Sequence, residues 1–456
     1  MKYYEDLQAN GGNADFVLQI INDYKTSDLY TEACNAYEYF RKRNITITQY
    51  KKLLYTISGE AVPDNCSANY KLCNAFFPIF IKQENSFQLG NGVTFNNAKT
   101  KDKLGGEDFD TKLFIAGEAA LWGAVAYCFF NMDHLDTFNA REFAPLFSTE
   151  DGGLHAGVRF WQVDDDKPLR ATLYEEDGYT EFIWRDGTGE ILTPKKAYTQ
   201  IVKQSVADGV EIIDGENYPG FPIVPIWANR EHQSEFTGMR TKIDGYDLIQ
   251  SGFANDLDEA SQIYWILQNA GGMDEIDLKK FIDQLRRTKA AVVEDDGAKA
   301  EAHTMEVPYA ARQAGLQELR DSLYRDAMAL DTDKITAGNI TATAINSAYE
   351  NLELKCDGYE YCITQCIQHL LDLIGVKDAP TYHRRKTTNQ TEVTNMVLSA
   401  VSALGLDLET SLKLLPFINV DEIPDIMKRI KEDEATRFAN EQNEKPEEQQ
   451  EEQPEV

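Results

Sequence analysis

Two adjoining stretches organise this chain: PGFPIVPIWANRE at residues 219–231 and TKIDGYDLIQSGFANDLDEASQIYWILQNAGG at residues 241–272. The three prolines of the first stretch fix the backbone and interrupt any regular helix. The second stretch predicts one long helix that ends at the pair Gly271-Gly272, because glycine commonly terminates helices. Its weak apolar stripe alternates with acidic residues, so one side should pack on apolar neighbours while the other meets water or charge. The acidic residues are Asp244, Asp247, Asp256, Asp258 and Glu259.

The length of the chain limits the number of domains, and its net charge limits the classes of function that it can have. The chain has 456 residues, enough for roughly two to four domains with real cores. Its 45 basic and 76 acidic residues give a formal net charge of −31. A sequence-specific DNA-binding protein needs a basic face that neutralises phosphates, so the charge argues against that class. The charge is compatible with simple solubility, or with a protein past which DNA slides without sticking.

The seven cysteines and the polar start of the chain predict a reducing, cytoplasmic origin. Cys362 and Cys366 lie one helical turn apart, near Cys356 and His369, which raises the question of a metal site. A buried helix face of small residues is the favoured interpretation, because no second ligand pair is visible. We therefore predict no metal and no cofactor. The apolar runs are shorter than a membrane span requires, so no membrane segment is predicted.

Hydrophobic periodicity predicts a helix-rich α+β chain. N-terminal helices lead into a buried helix and strand at residues 109–131, and residues 138–213 indicate an antiparallel sheet whose Asp-Gly pairs mark hairpins. After the 241–272 helix come a small α/β insert, a returning helix, a long helix and C-terminal helices. These four elements are placed at residues 273–309, 310–331, 341–374 and 391–431. An insert between two helices predicts that the helices return to lie side by side.

Sequence motifs give little support to an enzyme. The chain has no Walker sequence, no GxGxxG before a helix, and no HExxH or GxSxG. The acidic run at residues 164–166 is a solvated hairpin tip or, less favoured, a cation site. Asp256 and Asp258 are candidate catalytic carboxylates, although a solvated helix face explains them better. The basic cluster at residues 382–386 is a solvated loop or a phosphate contact.

Four stretches carry a further signal in their order and spacing. Residues 69–72 precede IKQENSFQLGNGVTF at 81–95, and IAGEAALWGAVAYCFFN at 115–131 precedes FAPLF at 143–147. The organising stretches supply the third set, which comprises Pro222, Pro225, Asn229, Ile243, Asp244, Tyr246, Asp247, Ser251, Asn255 and Asp256. The fourth set lies in ITATAINSAYENLELK at 340–355 and comprises Ala344, Tyr349, Leu352 and Lys355. Together these stretches resemble the tailed-bacteriophage portal proteins of the SPP1-like family over roughly residues 65–435.

The resemblance implies a ring of twelve subunits at one vertex of a phage head. Phe87 and the pair Thr341-Ala342 depart from the family pattern, which has tyrosine and serine-glycine there. The implied architecture is a wing of helices and antiparallel sheet, a two-helix stem, a small α/β clip inserted between the stem helices, and a helical crown. The implied regions are a wing at 1–240, stem helices at 241–272 and 310–331, a clip at 273–309, a tunnel loop at 332–339, further wing at 340–390, a crown at 391–437 and a disordered acidic tail at 438–456.

The same resemblance implies a function and its partners. The ring would be a head-to-tail connector through which DNA is packaged and ejected. The partners are further copies of the chain, double-stranded DNA passing without sequence specificity, the major capsid protein, the terminase large subunit, a head-completion or adaptor protein and a scaffolding protein. The protein would be made in the cytoplasm of a bacterial host and reside at the portal vertex of the virion. Two alternatives stay open: an acidic hydrolase, and a scaffold protein that carries no DNA.

Position within this architecture gives hypotheses for single residues. Lys334, with Asn339 and Thr341, would approach the DNA backbone at the tunnel loop. Val292 and Val293 of the clip would pair strands between subunits during ring assembly. The acidic face of the first stem helix would line or approach the channel, where repulsion holds DNA near the axis.

Overall fold

The computed structural model describes most of the chain, in two compact units. The described residues are 2–55, 59–64, 67–106, 108–205, 209–260, 264–268, 276, 279, 299–303, 308–333, 342–384, 390–415, 418 and 423–443. The first unit comprises residues 1–330 and 352–384, and the second comprises residues 331–351 and 385–456. None of the described helices is both long enough and apolar enough to cross a membrane.

The protein is mixed α+β and helix-rich, as predicted. The helices, numbered in chain order over the described residues, are α1 (Tyr4–Asn10), α2 (Ala14–Lys25), α3 (Asp28–Phe40), α4 (Ile45–Gln49), α5 (Phe76–Leu89), α6 (Lys99–Lys103), α7 (Asp108–Gly123), α8 (Arg240–Ala260), α9 (Tyr309–Asp326), α10 (Ala342–Leu373), α11 (Gln390–Leu404), α12 (Leu408–Leu414) and α13 (Ile423–Asn443). The strands are β1 (Leu53–Tyr55), β2 (Ala61–Pro63), β3 (Val93–Phe95), β4 (Val125–Asn131), β5 (His134–Asn139), β6 (Phe143–Phe147), β7 (Leu154–Trp161), β8 (Leu169–Glu175), β9 (Gly178–Arg185), β10 (Thr188–Lys196), β11 (Thr199–Ser205), β12 (Gly209–Glu216), β13 (Ile223–Trp227), β14 (Tyr264–Gln268), β15 (Lys299–His303) and β16 (Pro380–Tyr382).

Side-chain caps fix where the N-terminal helices begin. At the start of α2, Asn13 Oδ1 accepts a hydrogen bond from the amide nitrogen of Phe16 at 2.8 Å. At the start of α4, Asn44 Oδ1 accepts one from the amide nitrogen of Ile47 at 3.0 Å. Short polar side chains suit these positions because the first helical turn leaves amide groups without backbone partners.

Antiparallel pairing builds the sheets, as predicted, but the single sheet predicted at residues 138–213 is divided among three sheets. Five strands pair in the order β10-β9-β8-β7-β6, and three pair in the order β13-β4-β5. Between β9 and β10 the chain turns at Asp186-Gly187, where both residues have positive φ, as a two-residue hairpin turn requires. The hairpin predicted at this Asp-Gly pair is therefore confirmed. Four further pairs, β1-β2, β16-β3, β11-β12 and β14-β15, are two-stranded.

Two apolar cores stabilise the first unit. The larger one surrounds α7 and β4, which together form the helix and strand predicted at residues 109–131, and Leu113 and Ala120 are buried there. In the smaller core, Val17 and Ile21 of α2 pack against the five-stranded sheet. Helix α10 contributes the buried face that contains the three cysteines 356, 362 and 366. Among the residues that the structure describes, no group of His, Cys, Asp and Glu side chains is placed to hold a metal ion.

The helix predicted at residues 241–272 is shorter in the structure. Helix α8 ends at Ala260, and residues 264–268 form β14, in which Tyr264 lies opposite His303 of β15. The helix prediction over residues 264–268 is therefore wrong. The run Tyr-Trp-Ile-Leu is aromatic and branched, and such side chains favour a strand when a partner strand is present. The insert supplies that partner.

Close packing between α7 and α10 depends on Gly117. A Cβ atom at this position would collide with the hydroxyl oxygen of Tyr359 and the side-chain oxygen of Asn85. We expect Gly117→Ala to lower the free energy of unfolding by about 1–3 kcal/mol, because the core must shift to admit a methyl group. The matched control is Gly358→Ala in α10, where the Cβ position is open and stability should rise by about 1 kcal/mol. Urea unfolding measures both, and equal effects would contradict the packing argument.

Candidate functional site

Helices α8 and α9 run antiparallel and contact each other along their length. Lys242 Nζ of α8 donates to Ser322 Oγ of α9 at 2.8 Å and pairs with Asp326. Farther along α8, Asp256 pairs with Arg312 of α9. The second helix therefore returns beside the first, and one of the predicted acidic residues is neutralised by its partner helix.

A polar ladder joins α8 to an extended segment that we call the strap (residues 70–74). Three amide nitrogens of the strap donate to three side chains of the helix: Tyr70 to Asn255 Oδ1 at 2.7 Å, Leu72 to Ser251 Oγ at 3.0 Å, and Asn74 to Asp247 Oδ1 at 3.1 Å. Every second residue of the strap thus meets every fourth residue of α8.

The three hydrogen bonds of the ladder can form together because the spacing of every fourth residue in the helix nearly equals the spacing of every second residue in the strap. Four helical residues rise about 6.0 Å, and two extended residues advance about 6.6 Å. Polar side chains at positions 247, 251 and 255 therefore supply the acceptors that the strap amides would otherwise find in a sheet. This explains why a polar stripe runs along a helix that is elsewhere amphipathic.

Asp247 is the buried end of the ladder and has no solvent exposure. Its Oδ2 accepts a hydrogen bond from Asn44 Nδ2 at 2.8 Å, and its Oδ1 also accepts one from Asn74 Nδ2 at 2.6 Å. Burial raises the pKa of this carboxyl, and the hydrogen bonds from the two asparagines oppose that rise. The pattern of acidic residues in the 241–272 stretch predicts Asp247 on a solvated face. The structure encloses it because asparagine donors replace water.

The other predicted acidic residues have different surroundings. Asp244 Oδ1 accepts a 2.5 Å hydrogen bond from the Tyr39 hydroxyl, and burial together with this bond raises the pKa of Tyr39 to about 12. Asp258 is exposed, and the side chain of Glu259 lies outside the described residues. The acidic residues of α8 are therefore divided among buried, paired and exposed positions.

A buried ion cluster lies where three segments of the first unit converge. Lys355 Nζ of α10 is 2.7 Å from Glu84 Oε2 of α5 and 2.7 Å from Glu235 Oε2 in the segment before α8. The same ammonium donates to the carbonyl oxygen of Ala327, directly after α9, at 3.2 Å. We call Lys355, Glu84 and Glu235 the junction triad. It connects the ends of the helix pair to the main core.

The junction triad alters the protonation of its own members. Burial raises the pKa of Glu84 to about 7; the Lys355 ammonium opposes this rise and the Glu235 carboxylate adds to it. Burial alone would lower the pKa of Lys355, but attraction to the two carboxylates outweighs burial and holds that pKa above its usual value. The lysine is therefore charged at neutral pH.

Several predicted site residues lie outside the described part of the chain. They are Lys334, Asn339 and Thr341 of the DNA-channel hypothesis, and Val292 and Val293 of the clip hypothesis. Of the basic cluster, Arg384 is partly buried and paired, with Nη1 2.6 Å from Asp357 Oδ1 and Nη2 2.7 Å from Glu360 Oε2. Its charge is thus already neutralised by side chains of α10.

His155 bridges two carboxylates at the rim of an apolar groove. Its Nδ1 is 2.7 Å from Glu176 Oε1, its Nε2 is 2.8 Å from Asp151 Oδ2, and its ring stacks on Tyr4. The hydrogen bond to Glu176 raises the pKa of His155 most; burial opposes it, and the bond to Asp151 adds to the rise. Both ring nitrogens face acceptors, an arrangement that favours the doubly protonated imidazolium.

The paired His155 predicts a pH dependence of stability. Because the folded protein binds the histidine proton more tightly than the unfolded chain, the stabilisation is complete below about pH 6.5 and fades as pH rises through the raised pKa. An NMR titration should place the midpoint of the His155 ring above that of an unstructured histidine. Unfolding measured between about pH 6 and pH 9 should become less pH-dependent in His155→Gln. A midpoint at or below the unstructured value would contradict this assignment.

Comparison with known proteins places the chain in a family. A family model described as "Phage portal protein, SPP1 Gp6-like" matches residues 21–453. The chain belongs to this family of phage portal proteins. The portal protein of Clostridium phage phiCD119 is 26% identical over 373 residues, which cover 74% of this chain and 80% of the relative. The portal protein of Bacillus phage SPP1 is 23% identical over 415 residues, which cover 82% of this chain and 79% of the relative.

A solved structure gives a further likeness. The neck of a native GTA particle, computed with C12 symmetry, resembles the chain with a TM-score of 0.44 at 11% sequence identity. The likeness covers 76% of this chain and 90% of the other.

Family membership decides the function class. The protein is a phage portal protein, the head-to-tail connector at the capsid vertex of the virion. The family is structural and non-enzymatic, and it implies a ring oligomer. The resemblance to SPP1-like portal proteins is confirmed, and the hydrolase and the DNA-free scaffold are both set aside.

Several residues on which the portal protein's helix pair depends are not predicted from the sequence. Glu84 carries a usable signal, because it is the acidic residue in the largely apolar helix FFPIFIKQENSFQL. A charged residue in such a helix predicts a buried partner of opposite charge. Asn44 and Asn74 carry no comparable signal, since asparagine is common in turns and helix caps regardless of burial.

Proposed function

We propose that twelve copies of this portal protein form a closed ring whose channel passes duplex DNA during packaging and ejection. The family match over residues 21–453 carries the proposal. The formal charge of −31 per chain supports it. An acidic channel wall repels phosphates, so it holds the duplex near the axis without gripping it.

The proposed division of the subunit follows the described elements. Antiparallel packing of α8 and α9 supports their assignment as the stem, and the β14-β15 pair supports a compact clip between them. The first stem helix ends at Ala260 instead of residue 272. The remaining proposed regions are a wing at 1–240 and 340–390, a tunnel loop at 332–339, a crown at 391–437 and an acidic tail at 438–456. The tail is predicted to be disordered from residue 438, but helix α13 continues to Asn443.

Single residues take proposed roles within this division. Lys334, with Asn339 and Thr341, approaches the DNA backbone at the tunnel loop. Exposed Asp258 contributes to the acidic wall, whereas buried Asp247 anchors the stem. During assembly the ring contacts the major capsid protein and a scaffolding protein. The terminase large subunit docks during packaging, and a head-completion or adaptor protein follows it.

The oligomeric state tests the proposal most directly. Native mass spectrometry and negative-stain images of the purified full chain should show closed rings of about twelve subunits. A stable monomer or dimer under the same conditions would overturn the proposal.

A pair of variants tests the proposed role of the clip in ring assembly. Val293→Asp should prevent ring formation, because it places an unpaired charge between strands of neighbouring subunits. Val163→Asp is the matched control, since Val163 is 84% exposed at the hairpin between β7 and β8 and its change should leave rings intact. Normal rings from Val293→Asp would refute the assembly role of this residue.

A further inference from the structure

An apolar groove of about 820 Å³ opens on the first unit between three walls. One wall is formed by residues 151–155 with Glu176, the second by residues 219–227, and the third by the C-terminal end of α10 with Asp372. The second wall contains β13, which is the end strand of its three-stranded sheet. End strands are the places where a sheet accepts a segment of another chain.

The groove has an acidic rim and an aromatic wall. Asp151, Glu176 and Asp372 are exposed at the rim, and the bridging histidine offsets only part of their charge. On the wall, the rings of Trp227 and His232 stack with centroids 3.7 Å apart. A matching occupant is therefore aromatic or apolar at its centre and positively charged at its edge.

A surface of that chemistry lies elsewhere on the first unit. We call it the basic hairpin surface, and it comprises Tyr50, Lys51, Leu53, Val62, Tyr70 and Lys71. Each of the two tyrosines is 50% exposed, and the two aliphatic side chains are 44% and 42% exposed. Strands β1 and β2 form a sheet of their own, and a lone two-stranded hairpin is marginally stable until its apolar side is covered. Tyr50, Tyr70 and Lys71 line one small cavity, which joins these three side chains. Leu53 and Val62 belong to the paired strands β1 and β2 that follow Tyr50 and Lys51 in the chain.

Net charge distinguishes this surface from other segments of the chain that could occupy the groove. The β11-β12 hairpin, residues 199–216, carries one lysine and four acidic residues. The C-terminal residues 444–456 carry one lysine and six glutamates. The acidic rim would repel both segments. Residues 50–71, which contain the basic hairpin surface, instead carry three lysines and two acidic residues. Lys51 and Lys71 are exposed there beside exposed aromatic rings.

We propose that the groove of one subunit receives the basic hairpin surface of the next subunit in the ring. The inference rests on the ring assembly proposed above, because neighbours in a closed ring meet through two different faces. The lysines meet the acidic rim, and the tyrosines with Leu53 and Val62 cover the apolar wall beside β13. This attraction, repeated at each interface, counters the repulsion between chains that each carry a charge of −31.

Two charge-reversed variants test the contact by complementation. The hairpin variant carries Lys51→Glu and Lys71→Glu, and the groove variant carries Glu176→Lys and Asp372→Lys. Each variant alone should fail to form rings, because like charges then face each other and weaken association on the order of 100-fold. Mixed in equal amounts, the two should form rings in which they alternate, because each altered surface then meets its opposite.

Native mass spectrometry reads the outcome when one variant carries an affinity tag that makes its subunits heavier, since alternating rings then have the mass of equal numbers of the two variants. Lys167→Glu, on the exposed hairpin between β7 and β8, is the charge control and should assemble like the unaltered protein. Melting temperatures report whether each variant folds, and the single reversals Lys51→Glu and Asp372→Lys replace any pair that does not. Rings from either variant alone, or a mixture without rings while the unaltered protein assembles, would overturn the proposal. Absence of rings from the unaltered protein would overturn the proposed function instead.

Discussion

Replacing Lys355 with methionine should lower the free energy of unfolding by about 3–5 kcal/mol. The change removes the ammonium that lies 2.7 Å from both Glu84 and Glu235, whose side chains are only 2% and 15% exposed. Removing one partner of a buried ion cluster is strongly destabilising because the remaining charges stay buried without compensation. The carbonyl oxygen of Ala327, which follows α9, also loses its donor.

The loss of unfolding free energy in Lys355→Met should depend on pH, and the direction of this dependence tests whether the uncompensated charge of Glu84 causes the loss. Without Lys355, burial and the Glu235 carboxylate raise the pKa of Glu84 with no ammonium to oppose them. Above the ordinary pKa of a glutamate, the folded state then binds more protons than the unfolded chain, so stability falls as pH rises. Urea unfolding should therefore show a smaller deficit at about pH 5 than at about pH 8.

Matched variants separate charge from packing at the junction triad. Glu84→Gln added to Lys355→Met removes one uncompensated charge and should recover part of the loss. Lys413→Met cuts an exposed pair with Glu409 and should change stability by less than about 0.5 kcal/mol. A Lys355→Met protein within about 1 kcal/mol of the unaltered one would show that the junction triad is not a stabilising unit.

Asp247→Ala should lower the free energy of unfolding by about 3 kcal/mol. It removes the acceptor of three hydrogen bonds and leaves the side-chain donor of buried Asn44 without this acceptor, whereas Asn74 Nδ2 keeps its hydrogen bond to Gln250 Oε1. Because the amide of Asn74 loses its acceptor as well, its hydrogen exchange should accelerate more than that of Leu72, whose acceptor Ser251 is kept.

Two variants on the same helix act as controls for Asp247→Ala. Asp247→Asn keeps the shape of the side chain but points an amide donor toward Asn44 or Asn74, which already donate to this position. We therefore expect a loss of unfolding free energy smaller than that of Asp247→Ala. Asp258→Ala changes an exposed residue and should cost less than about 1 kcal/mol. Equal losses at positions 247 and 258 would contradict the anchoring role of the buried carboxylate.

Elements with a long, unambiguous pattern could be predicted from the sequence. The Asp-Gly pair at 186–187 determines a hairpin through local backbone preference alone, and the apolar run at 109–131 is a buried helix followed by a strand. The end of α8 could not be predicted in this way. Residues 264–268 suit a helix or a strand, and their pairing with β15 at residues 299–303 decides between the two.

The candidate site was harder to predict than the fold. An acidic residue inside an amphipathic pattern looks the same whether water or a distant donor satisfies it. For Asp247 the deciding donor is Asn44, which is 203 residues away along the chain. Family membership depended instead on the order of short motifs, which needs no knowledge of contacts. The DNA-channel and clip residues lie outside the described part of the chain and stay predictions.

The polar ladder also limits how α8 can move against the strap. Its three contacts recur along one face of the helix every four residues, about 6 Å apart. Successive residues of a helix point about 100° apart around its axis. If the register shifted by a single residue, the side chains level with the strap amides would therefore point away from the strap, and all three hydrogen bonds would break together. The next arrangement in which the side chains face the same amides lies a whole repeat away. The strap therefore holds α8 in one register. It resists displacements smaller than four helical residues, because only a shift by the whole repeat brings side chains of the helix back to the same strap amides.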